Sequence, residues 1–368
     1  MLREDAMNRI GKTLVSLLAM MLLIAPGTVF AQDEVEDLLG PDDELAQGDD
    51  DEDRPWAVSM SLRSMVGQGT FAQVSNDTEW AGQIDDGRNA FNRWNLVFGI
   101  SPSYQVGDFN FSASLSWVQW LTPGGGNATS SLSGGANEPY QFRFQDIGLN
   151  AGWRTFTSDA LGVSATPSLS VRLPTSKVAR TETLLLDVGA SLSLRRTFFD
   201  KLTLSGGLSA NQYFHEYTSP VVDIDVVGHD NVHYRVGGAE DIEPGRISIG
   251  GRNLQYQVGT TLGASFGLPA NLSASINYGL FNYWTYDVDN DDEFMSEHAK
   301  PGRGWSQVTM GSFGLSYQVN EWIGTSLMAT TIQTPKTSDN QSFRFPFWNF
   351  TGAASNSTGI TLGVTGTY

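Results

Sequence analysis

Asp146, Arg172 and Asp187 are the residues whose types and spacing most clearly define a piece of chemistry in this sequence. Each stands at the parity opposite to the apolar positions of its own alternating segment, so if those segments are strands each charge points away from the apolar face. An Arg facing lipid at depth would cost about 2–4 kcal/mol, which makes the wet face the cheaper one. The direction of the three segments places the charges side by side in the order acid, base, acid. That arrangement either braces a wall or forms a constriction that sorts ions. Trp120, Phe281 and Tyr283 share the wet-face parity and are expected near the outer mouth of whatever the segments enclose.

Other chemistry is thinner. Asp287, Asp289 and Asp291 follow the 1, 3, 5 spacing of a calcium loop, but the Gly at position 6 and the Glu at position 12 are missing. They form a weak Ca²⁺ candidate and not an EF-hand, and no metal or cofactor is assigned. His215, His229, His233 and His298 fall in or beside expected outer loops, and no Ser has a recognisable nucleophile context. The chain is therefore read as a non-enzyme.

The elements that must carry these residues are strands. From Trp56 onward, segments of about 10 residues alternate apolar with small polar side chains, the dyad pattern of a strand with two unlike faces. Trp94–Ser101, Phe109–Trp117, Val163–Leu173, Leu202–Phe214, Leu272–Phe281 and Phe313–Val319 are examples. Thr358–Tyr368 has the same pattern, with Ile360, Leu362, Val364 and Tyr368 on one face and Gly359, Thr361, Gly363 and Thr365 on the other. A bare strand with an apolar face invites association unless a sheet closes on it. In lipid, only helices and closed barrels leave no backbone group unpaired.

The expected fold is all-β: a transmembrane antiparallel β-barrel of about twelve strands, with short periplasmic turns and long extracellular loops. Long connections are expected at 66–90, 122–141, 174–183, 215–250, 286–306 and 333–357, and short ones at Gln105–Asp108, Leu268–Asn271 and Asn320–Glu321. An edge strand of a soluble β-sandwich is the alternative for the last segment, but it does not explain the alternation of loop lengths. Trp56, Tyr104, Phe109, Trp153, Phe266, Tyr317, Trp322 and Tyr368 fall at the short-turn ends, as an interfacial girdle requires.

Three regions divide the chain. Residues 1–31 read as a secretory signal peptide, with Arg9 and Lys12 before the apolar run Leu14–Ile24 and small residues before Gln32. Residues 32–55 form an acidic, disordered periplasmic segment, in which Asp33–Arg54 sets twelve acidic residues against one Arg. Residues 56–368 form the barrel. The 40 glycines and the 40% hydrophobic content fit strands with one wet face. The chain has no Cys, which removes disulfide and thiolate chemistry, and its net charge of −18 argues against nucleic acid as a partner.

Asp146-Ile147-Gly148-Leu149, then Pro167–Thr175 and Leu186-Asp187-Val188-Gly189, resemble the outer-membrane barrel family labelled putative meta-pathway of phenol degradation. Gln145 and Ser176 stand where that family usually shows Gly. The resemblance implies a transporter-like barrel found with the breakdown of aromatic compounds. The expected function is passage of a small, hydrophobic or aromatic solute across a bacterial outer membrane. The alternative is a closed structural or adhesin-like barrel acting through its loops. Expected partners are the solute, outer-membrane lipid and lipopolysaccharide, and the barrel assembly machinery through the C-terminal strand.

Overall fold

Each alternating segment has one apolar and one polar face, and a flat sheet of such segments would leave two edges unpaired. The computed structural model describes residues 54–67, 94–121, 142–153, 155–158, 161–218, 221–223, 246–248, 252–288, 302–336, 341–347 and 358–368, and in it the sheet closes on itself. Twelve staves run in chain order around the ring. They are β1 Trp56–Gly67, β2 Trp94–Val106, β3 Phe109–Trp120, β4 Ile147–Trp153, β5 Val163–Leu173 and β6 Leu184–Phe198, then β7 Leu202–His215, β8 Leu254–Leu268, β9 Leu272–Val288, β10 Gly302–Asn320, β11 Ile323–Gln333 and β12 Thr358–Thr367.

Every stave pairs antiparallel with its sequence neighbours, and β12 pairs with β1 from Ser59↔Thr367 to Gly67↔Gly359. Val58 and Tyr368 extend the seam by exchanging both backbone hydrogen bonds, at 2.9 and 3.1 Å. Closure of this kind leaves no edge. The exposed apolar side chains, such as Leu169, Leu208, Leu262, Ile276, Phe313, Leu327 and Leu362, all lie on the outer face. A continuous apolar band of this size is a surface for hydrocarbon, so the fold is a membrane-spanning barrel.

The two ends differ. At one end the connections are tight: Gly107 (φ 58°) turns β2 into β3, Phe199 and Asp200 (both φ 53°) turn β6 into β7, and Ala270 and Asn271 (φ 62° and 56°) turn β8 into β9. Consecutive positive φ values match the right-handed twist of hairpin strands. At this end Tyr368 sits 5.9 Å from both Trp56 and Trp322, ring centre to ring centre, with Arg54 over its face, as the expected girdle requires. The long connections all lie at the other end.

Two expectations are corrected there. The stretch 286–306 is not simply a loop, because β9 runs on to Val288 and β10 begins at Gly302 instead of Phe313. Backbone pairing continues past the height at which lipid imposes an apolar alternation, so the sequence pattern fades before the strand does. The stretch 174–183 holds a short helix, α1 (Lys177–Thr181), whose N-cap Ser176 accepts the Ala179 N–H at 3.0 Å.

A strap also crosses the outside of the wall. Thr331 Oγ1 donates to the Phe347 carbonyl at 2.9 Å, Gln333 Nε2 donates to the Phe345 carbonyl, and a Cβ on Gly311 would collide with the Pro346 carbonyl. Thr331 and Gly311 are register partners on the outward face. The strap 341–347 therefore covers small and polar wall residues that lipid would not tolerate.

Candidate functional site: the lumen

The inward face is defined by the parity opposite to the apolar band. Towards the tight-turn end it is polar and open, with Asn110, Ser191, Ser193, Arg195 and Thr197 all exposed. Towards the long-loop end it is filled. Asn95, Val97, Val118, Tyr213, Phe281, Met310 and Ser312 point inward there and are buried. One lumen thus has a wet half and a packed half.

Arg172 and Asp187 lie in the packed half as direct register partners on β5 and β6, with Arg172 Nε 3.2 Å from Asp187 Oδ2. Asn211 Nδ2 donates to the other Asp187 oxygen at 3.4 Å, and the Arg172 guanidinium stands over the Tyr213 ring at 5.5 Å. Asp146 sits just before β4, where Gln145 is bonded to Ser116 and Gly148 pairs with Ser114, leaving Asp146 and Ile147 as a bulge opposite Leu115. Its Oδ1 accepts the Ser176 backbone N–H at 2.6 Å. The base and the second acid are therefore in contact, while the first acid anchors α1.

Phe281 and Tyr283 are brought together on β9, with Met310 of β10 packed beside them. Gly259 and Gly279 explain the position of the Phe281 ring: a Cβ on either would lie 2.6 or 2.5 Å from it. Glycine at both places lets the ring lie flat against the wall, with no exposed surface left. Leu254, Val308 and Ile332 complete this shelf, and Leu254 also touches the cluster of Ala179, Leu184 and Tyr213 under α1. Trp120 ends β3 opposite Asn95 in register.

The mouth is pinned by polar contacts that composition alone does not reveal. Asn253 Nδ2 donates to the Glu182 and Tyr217 carbonyls, both at 2.7 Å. His215 Nδ1 donates to the Glu182 carbonyl at 2.8 Å, Tyr286 Oη donates to the Tyr213 carbonyl at 2.8 Å, and the Tyr213 hydroxyl is bonded to Gln257 Oε1. Glu182 keeps contact with solvent, yet the protein packed around its carboxyl removes enough water to push its pKa up, against the pull of Arg172. Asp287 is the register partner of Arg303 beyond a bulge in β9. Asp289, Asp291, His229, His233 and His298 lie outside the described residues, as do residues 1–53.

Sequence reasoning missed Met310, Val308 and Ile332 because the start of β10, and with it the β10–β11 register, was not legible. It missed Tyr213 and Asn211 although both share the inward parity of β7.

No family model and no curated relative matches the chain, so the resemblance seen between Asp146 and Gly189 rests on those residues. Among solved structures, the chain is similar to an outer-membrane channel from Pseudomonas putida F1 at 10% identity, covering 89% of this chain and 99% of that one, with a TM-score of 0.49. It is also similar to the NanC porin (10% identity, 83% and 98% covered, TM-score 0.40) and to the KdgM porin (11%, 84% and 99%, 0.37). The barrel itself stands on its own strand pairing.

Proposed function

We propose that this chain is an outer-membrane channel that passes a small solute, with the tight turns in the periplasm and the long connections outside the cell. The observation that carries the reading is the two-part lumen: a wet, polar lower half leads to a packed upper half that holds both an ion pair and an apolar shelf. A structural rod needs no such change of lining along its axis, whereas a selective passage needs a narrow, chemically distinct stretch. The apolar band faces outer-membrane lipid and lipopolysaccharide, and the closing strand β12 is the element offered to the assembly machinery. A small hydrophobic or aromatic solute is what the resemblance between Asp146 and Gly189 supports, and its passage requires the buried Phe281, Tyr283 and Met310 side chains to part.

The buried inward residues also favour a second reading, a closed barrel that acts at the cell surface through its loops. Conductance of the purified full chain in planar bilayers separates the two. Reproducible unitary steps support passage, and their absence over many confirmed insertions supports the closed barrel.

A further inference from the structure

The outer face of the wall carries a row of rings at the long-loop end. Tyr256 of β8, Trp284 of β9 and Trp305 of β10 are successive register partners with outward parity, and Trp305 is 61% exposed. The strap continues the row beside β11. Its Phe343 and Phe345 are 79% and 53% exposed, and Phe345 packs edge-on against Phe347, whose ring centre lies 6.5 Å from that of the outward-facing Tyr278. The strap therefore hides polar wall groups and presents phenyl rings in their place.

A cation stands at each end of this row. The Arg303 guanidinium lies 5.4 Å from the Tyr256 ring centre, and the exposed Lys336, just beyond β11, holds its ammonium 5.6 Å from the Phe343 ring centre. Contact with a ring face draws on a cation's charge without using up its N–H donors. Arg344, whose backbone N–H ties the strap to the Pro335 carbonyl, adds positive charge, and Asp287, the register partner of Arg303, is the acid beside them among the described residues. Asp339, in the same connection, lies outside the described residues. Aromatic rings flanked by cations suit the boundary between headgroups and acyl chains, where one end of a side chain is apolar and the other is wet.

Resting on the outer-membrane placement proposed above, with the long connections outside the cell, we infer that this flank is a docking site for lipid A, the phosphorylated and multiply acylated glycolipid of the outer leaflet. Its phosphates pair with Arg303 and Lys336, since guanidinium and ammonium groups are the usual partners of phosphate oxygens. Its acyl chains lie on the exposed rings of Trp305, Phe343 and Phe345. A lipid without phosphate gains the rings alone. A lipid with a single phosphate engages one of the two cations at a time.

The test is native mass spectrometry of the full chain in detergent with bisphosphoryl lipid A, dephosphorylated lipid A and phosphatidylglycerol as competing lipids, folding being checked by heat-modified gel mobility. Bisphosphoryl lipid A is expected to bind most tightly. Arg303→Gln and Lys336→Gln are each expected to weaken its binding about twofold to fivefold, the worth of one exposed ion pair. Arg303→Lys keeps the charge and is expected to retain most of the binding, which separates charge from folding. Lys201→Gln, an exposed cation at the tight-turn end, is expected to leave binding unchanged. Equal binding of the three lipids, or wild-type binding by the Arg303→Gln/Lys336→Gln double variant, overturns the inference. Weakening by Lys201→Gln in place of the other two overturns it as well and counts against the orientation. Lipid A binding at this flank by a barrel that passes no current counts against the channel reading and leaves this one standing. Unitary current without a preference for lipid A counts against this one alone.

Discussion

Arg172 Nε and Asp187 Oδ2 meet at 3.2 Å across directly paired staves, with the aspartate almost wholly buried and the arginine still reaching the lumen. Removing the arginine leaves a buried carboxylate short of its main partner. Arg172→Gln is expected to lower stability by about 1–3 kcal/mol, the usual penalty for an unsatisfied buried polar group. Because one lumen cation is lost, the reversal potential in a salt gradient should also move towards cations. A loss of stability with an unchanged reversal potential would make the pair a brace and nothing more.

The Phe281 ring occupies the flat bed offered by Gly259 and Gly279. Phe281→Ala is expected to enlarge unitary conductance while costing up to about 3 kcal/mol, at the low end for a large-to-small change because lumen water can fill the space. Gly279→Val forces the ring off the wall into the lumen, so conductance should fall. If both variants conduct as the wild type does, the ions do not pass the shelf.

Gly311 admits the strap. Gly311→Ala places a methyl group against the Pro346 carbonyl, which must move or expose Thr331 and Gln333 to lipid. Limited proteolysis within 341–347 should become faster in the variant while the barrel still shows heat-modified mobility. Unaltered cleavage would mean that the strap tolerates a side chain there.

Glu182 caps α1 at the mouth, with Arg172 and Asp146 as the charged groups acting on its carboxyl and with His215 and Asn253 on its carbonyl. Burial raises its pKa, so on acidification it takes up a proton before ordinary carboxylates do. The mouth then loses a negative charge, and preference for anions is expected to rise as the pH falls from neutral towards the carboxylate range. Glu182→Gln should show the higher preference already at neutral pH and a flattened dependence. A variant with the wild-type pH profile would assign the effect to another group.

The staves were legible in the sequence wherever lipid dictates the pattern. Ile360, Leu362 and Val364 read as an outward face because hydrocarbon tolerates nothing else, and the closing strand pairs on both sides as that reading requires. The inward parity of Arg172 and Asp187 followed from the same rule. Above the apolar band the rule lapses, so the start of β10 at Gly302 and the helix α1 left no periodic trace. The shelf was only half visible for a related reason. Phe281 and Tyr283 could be placed by parity, but their packing with Met310 and Ile332 depends on register across three staves, which no local pattern encodes.

Single-channel recording of the purified full chain in planar bilayers is the most direct test of the central claim. The account predicts reproducible unitary steps whose size rises in Phe281→Ala and whose reversal potential shifts towards cations in Arg172→Gln. A correctly folded barrel that inserts repeatedly and passes no current in the wild type or in Phe281→Ala would contradict it.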